Sequence, residues 1–79
     1  MIKLNILNMD NFLDTVNACQ GEVYMVYPGG TTVNIHRQRG VQDGLSHQYH
    51  KNKNHLPLVL KIPNPKDYMR IVSYYAGDC

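Results

Sequence analysis

The sequence predicts one α+β domain, a two-layer sandwich. A four-stranded antiparallel sheet carries three helices on one face, in the order β-α-β-β-α-β-α. Three observations carry this reading. Short stretches at Ile2–Ile6, Glu22–Tyr27, Thr31–His36 and Leu56–Ile62 are β-branched, aromatic or alternately apolar, as strands are. Three other stretches space their apolar residues three and four apart, the period of a one-faced helix. Pro28-Gly29-Gly30 stands between two of the strand stretches and turns the chain back on itself.

Each element follows from its residues. Ile2, Leu4 and Ile6 alternate with Lys3 and Asn5, a half-buried strand. Asn8 or Asp10 then caps a helix, because a short side-chain oxygen accepts from the free N–H groups of the first turn. Met9, Phe12, Leu13, Val16 and Cys19 make its buried face, with Asp14 and Asn17 on the other. Gly21 is expected to end it in the left-handed conformation. The hairpin follows: Glu22–Tyr27, a type II turn with Pro28 presetting φ and Gly29 accepting φ > 0, then Thr31–His36 with Val33 and Ile35 facing one way.

The segment 38–51 is expected to form a short, weak helix. Val41, Leu45 and Tyr49 give it a narrow stripe, but Gly40 and Gly44 each cost about 1 kcal/mol relative to alanine. It runs into a polar loop over His50–His55. The last strand turns Leu58, Leu60 and Ile62 inward, with Pro57 tolerated near its start or on an edge. Asn64 caps the last helix, Pro65 takes its first position and Asp67 faces the positive end of the dipole. Tyr68, Ile71, Val72 and Tyr75 form its expected buried stripe, closed by Gly77.

Residues 1–79 make a single domain, without repeats or low-complexity tracts. A chain of this size buries only about 60% of its unfolded surface. It has little room for an enclosed pocket beside a core, which favours a module that works through its surface. The two cysteines, Cys19 and Cys79, form no disulfide framework or zinc set. They are expected to be reduced thiols, with a Cys19–Cys79 bridge or a reactive Cys79 as the alternatives. No stretch approaches the ~20 apolar residues of a membrane span, so no membrane association and a cytoplasmic location are expected.

Charge is distributed unevenly. Residues 36–55 hold all four histidines, the cations Arg37, Arg39, Lys51 and Lys53, and one acid, Asp43, a formal surplus of +3. The rest of the chain holds four cations and five acids, so the net +2 is local. His36-Arg37-Gln38-Arg39, at a strand-to-helix junction, is suited to an anion, because free helix N–H groups would add to the cationic field. The plain alternative is a solvated polar corner. His47 and His50 fall on one helical face as two metal ligands would, yet only His36 and His55 are available to complete a site, so no metal or other cofactor is expected. Tyr49 among basic residues has the composition of a nucleic-acid stacking platform. No nucleophile–base–acid set, phosphate-loop glycine motif or carboxylate pair suggests an enzyme.

Over nearly its whole length the hydrophobic pattern resembles HPr, the small phosphocarrier of the bacterial sugar phosphotransferase system. The match is carried by 12–19 (Phe-Leu-Asp-Thr-Val-Asn-Ala-Cys), by the hairpin Glu22–Tyr27 and Thr31–Ile35, and by Gly40-Val41 followed by Leu45. Leu58–Ile62 and Tyr68–Tyr75 fall where the last strand and helix of such domains stand. The resemblance implies the same α+β sandwich and a partner-docking surface near the starts of the first two helices. It also implies what is missing. HPr carries phosphate on a histidine before its first helix, whereas this junction reads Leu7-Asn8-Met9-Asp10-Asn11. Arg37 stands where the family has its regulatory serine.

The expected function is thus a non-catalytic HPr-like protein-binding or regulatory module. Its expected face is His36, Arg37, Arg39, Val41, Leu45, His47, His50, Lys51 and Lys53, turned toward a partner with an acidic surface. A nucleic-acid-binding module using the same patch, or a small phage- or mobile-element-type inhibitor of a host protein, are the alternatives. A phosphocarrier working through an unaligned histidine such as His36 is the enzyme-linked rival.

Overall fold

A computed structural model describes residues 1–78. It contains β1 (Ile2–Ile6), α1 (Met9–Ala18), β2 (Tyr24–Val26), β3 (Thr32–Asn34), α2 (Arg39–Lys51), β4 (Leu56–Lys61) and α3 (Pro65–Asp78). The strands form one antiparallel sheet in the order β1-β4-β2-β3. The architecture is the α+β two-layer sandwich that the alternating periods call for, with the helices on one face.

Register follows the apolar alternation. Leu4 stands opposite Leu58, Ile2 opposite Leu60, and Met25 opposite both Leu60 and Val33. That puts Leu4, Ile6, Met25, Leu58 and Leu60 on the face that meets the helices, where all are buried. Pro57 lies opposite Asn5, in a pair whose Asn5 N–H turns away to the Tyr75 hydroxyl at 3.3 Å. Pairing of β4 with β2 is confined to Leu60 and Lys61, so the missing N–H of Pro57 faces no strand. The hairpin turn is as expected: the Gly30 N–H donates to Tyr27 O at 3.0 Å, and Gly29 has φ 97°.

On α1, Asn8 caps as expected, its side chain accepting from the Asn11 N–H, and Met9, Phe12 and Val16 are buried. Gly21 does not end this helix. The helix stops at Ala18, and Cys19 leaves it in an extended conformation with φ −65° and ψ 152°. The reason for a glycine at 21 lies elsewhere. A Cβ there would stand 3.3 Å from Asp67 Oδ2, the oxygen that accepts the Gly21 N–H at 2.8 Å. The Gln20 N–H donates to the other oxygen at 2.9 Å, so Asp67, 1% exposed, ties the α1–β2 loop to the first turn of α3. Burial pushes this carboxyl's pKa up. The two N–H donors, with Arg70 and His36 behind them, outweigh that and hold it below its ordinary value.

The expected short helix is a full thirteen-residue α2. Gln42, Leu45 and Tyr49 are buried along one line, and that anchorage outweighs the propensity cost of two glycines. On α3 the buried line is Asp67, Ile71 and Tyr74, rotated from the expected one; Tyr68 is exposed, and Gly77 lies inside the helix rather than closing it. Asn64 Oδ1 accepts from the N–H groups of Lys66 and Asp67, the expected cap.

The helices meet over the sheet, α1 packing against both α2 and α3. Phe12 and Tyr74 are in ring contact, with centroids 6.1 Å apart. Two tyrosines then reach the β1–α1 corner: the Tyr49 hydroxyl donates to Leu7 O at 2.6 Å and that of Tyr74 to Asn8 O at 3.0 Å. Cys19 is buried and free, and its S–H donates to Thr15 O. Burial first, and then the Asp67 charge, push its thiol pKa up to about 11. Cys79 lies outside the described residues, and with it the question of a bridge.

Candidate functional site

The basic stretch does not fold into one patch. It divides between the two ends of α2, about 18 Å apart by helix rise, and parts of it enter the core.

At the amino end, His36 is half-buried, and its Nε2–H donates to Cys19 O at 2.9 Å. Arg37 is exposed with φ 55°, a left-handed conformation that costs a non-glycine residue about 1 kcal/mol. Its N–H donates to Asn17 Oδ1 at 3.0 Å and its Nε–H to Asn17 O at 3.3 Å, which fixes this corner against the end of α1. Gln42 completes the fixture. Its Nε2 donates to Asn17 Oδ1 at 2.7 Å and to Ile35 O at 2.8 Å, and its Oε1 accepts from Asn17 Nδ2 at 3.2 Å. α2 has no side-chain cap and no acid in its first turn, and Arg39 is exposed there.

Neither Asn17 nor Gln42 stands out in the sequence as a functional residue. The available signal was Gln42 itself, a polar residue at the head of the line Gln42–Leu45–Tyr49, which a buried stripe accepts only if it is hydrogen-bonded.

Arg37 and Arg39 open onto a groove of about 670 Å³ between α1 and α2. Its other charged lining residues are acids: Asp10 and Asp14 from α1, and Asp43 from α2. The anion site expected at His36–Arg39 is therefore a mixed-charge groove. Sequence distance concealed this, because Asp10 and Asp14 lie over twenty residues upstream of Arg37.

At the carboxyl end, His47, His50 and Lys51 are exposed on α2, and Lys53 and His55 on the loop that follows. The loop turns through Lys53 and Asn54, both left-handed with φ of 60° and 61°, and the Asn54 N–H closes onto Tyr49 O at 2.9 Å. His50 Nδ1 is 3.0 Å from Asn54 Oδ1. The side chains of Arg39, His47, Lys51 and Lys53 make no hydrogen bond or ion pair with any described residue.

The apolar half of the expected face is not presented. Leu45 is 3% exposed, and Val41 is half-buried against the same core. A stripe anchoring a helix on a sheet faces the sheet, so it cannot also face a partner. Tyr49, 8% exposed with its hydroxyl on Leu7 O, offers no face on which a base would stack. Among the described residues, no three or more His, Cys, Asp or Glu side chains are grouped to hold a metal ion, and no helix is long and apolar enough to cross a membrane.

Compared with known proteins, the chain matches no family model, no curated protein and no solved structure.

Proposed function

We propose that this chain is a non-catalytic, HPr-like protein-binding or regulatory module of the cytoplasm, and that α2 and its following loop meet a partner with an acidic surface. One observation carries the reading: His47 and Lys51 on α2, and Lys53 on the loop that follows, stand exposed without partners among the described residues, beside a helix anchored by Gln42, Leu45 and Tyr49. Cationic side chains not used in folding are free for external carboxylates, and a rigid support limits the entropy lost on binding. The order β-α-β-β-α-β-α supports the resemblance to HPr as far as element order goes. The corner where that family carries its phosphohistidine has none here, and its carbonyls at Leu7 and Asn8 are occupied by tyrosine hydroxyls.

The test is affinity capture with the wild-type chain and the Lys51→Glu, Lys53→Glu variant, each with and without nuclease. A partner retained after nuclease and lost on charge reversal is the expected result. Capture unchanged by the reversal refutes the reading, and capture abolished by nuclease assigns the patch to nucleic acid instead.

A further inference from the structure

The mixed-charge groove has a definite polarity. Asn17, at the end of α1, is bonded to Arg37 and Gln42 at the start of α2, while Tyr49 near the end of α2 is bonded to Leu7 just before α1. The two helices therefore run in opposite directions along the groove. Its guanidiniums, Arg37 and Arg39, lie toward one end, and Asp10 lies toward the other, about 10 Å away by the rise from Asp10 to Asn17. Asp14 stands one turn in from Asp10. None of these four side chains forms an ion pair with a described residue.

A surface with opposite signs at its two ends is complementary to itself under a two-fold rotation about an axis across the groove, which is what a two-fold contact between identical chains requires. A uniformly acidic partner would meet repulsion from Asp10 and Asp14 in the same groove. We propose that the α1/α2 groove is the contact between two copies of this chain, with Arg37 and Arg39 of each meeting Asp10 and Asp14 of the other. Arginine suits this role because its long stem reaches across a concave surface and its planar fork pairs with a carboxylate through two bonds. Leu13, half-buried against the core, lines the groove beside the two aspartates, so the contact is carried by the charges. The pairing leaves His47, Lys51 and Lys53 at the other end of α2 uncovered. It needs nothing but the chain itself, so it stands or falls independently of the partner reading.

Sedimentation equilibrium at low and high salt tests it, using the wild-type chain, an Asp10→Lys, Asp14→Lys chain and an Arg37→Glu, Arg39→Glu chain. The wild type is expected to form a dimer that weakens at least tenfold on raising the salt. Each reversed chain is expected to be monomeric alone, and an equimolar mixture to form a one-to-one heterodimer. If either double variant fails the circular-dichroism check of its fold, Asp14→Lys and Arg39→Glu are used singly. Both side chains are exposed and make no hydrogen bond or ion pair with a described residue, and each change is then expected to weaken the dimer at least tenfold. A wild type that stays monomeric at millimolar concentration in low salt overturns the proposal. So does a folded reversed chain that dimerises as the wild type does, or folded reversed chains that do not pair when mixed.

Discussion

Replacing Asp67 by asparagine should cost this domain a large share of its stability. The carboxylate is 1% exposed and accepts the Gln20 N–H at 2.9 Å and the Gly21 N–H at 2.8 Å. Asparagine keeps the shape but offers one acceptor, and it sets an amide N–H₂ group against the remaining backbone N–H. Hydrogen bonds to a charged group contribute about 1.5–3 kcal/mol each, and a buried donor left without a partner costs a further ~1–3 kcal/mol. A loss of about 3 kcal/mol follows, out of the roughly 4–12 kcal/mol available to a chain of this length. In thermal terms it corresponds to a fall in Tm of at least about 10 °C. The sign of the pH dependence is also fixed. The pKa of Asp67 is lowered in the folded state, so the unfolded state binds the proton more readily. The stabilisation is therefore complete above the unfolded value, near pH 4, and is lost as the pH falls through the lower folded value. Urea unfolding followed by far-ultraviolet circular dichroism, from pH 7 down to pH 2, measures both effects. The gap between wild type and Asp67→Asn should be widest at pH 7 and should close below pH 4. A gap under about 0.5 kcal/mol at pH 7, or one that does not change with pH, would refute the argument, because typical charge-assisted bonds exceed it.

Two further outcomes are expected. Gly40→Ala and Gly44→Ala should each raise stability by up to about 1 kcal/mol, since a Cβ at either site meets nothing within 4 Å; a loss in urea unfolding would mean that α2 depends on these glycines for something other than its own backbone. In a Cys79→Ser background, Cys19 should resist thiol labelling at pH 8 and become reactive in denaturant, because its thiol is buried with a pKa of about 11; rapid labelling of the folded chain would contradict that burial.

The fold was legible where sequence and geometry share a period. Ile2, Leu4 and Ile6 could only be a one-faced strand, and Pro28-Gly29 could only turn in one manner. What was not legible came from tertiary contacts. Gly21 resembled a helix stop because its packing against Asp67, nearly fifty residues later, leaves no trace in a local pattern. The second helix looked weak because propensity counts glycines but not the burial of Gln42. The exposure of Arg37, Arg39, Lys51 and Lys53 was legible from their charge. The candidate face was overdrawn at Leu45, where one stripe was asked to anchor the helix and to bind a partner. The acid wall of the groove required knowing that α1 lies beside α2, which no window along the chain contains.

The strand order carries a consequence for how the chain comes to be folded during synthesis. β4, the last strand to be made, is the one that joins β1 to the β2–β3 hairpin. Until Leu56–Lys61 has left the ribosome, the first strand has no neighbour and the hairpin is an isolated pair, marginal in water. The hydroxyl of Tyr74 on Asn8 O comes later still. The sheet therefore cannot be completed until the strand that stands between β1 and the hairpin has been made, and its closure rests on pairings distant in sequence.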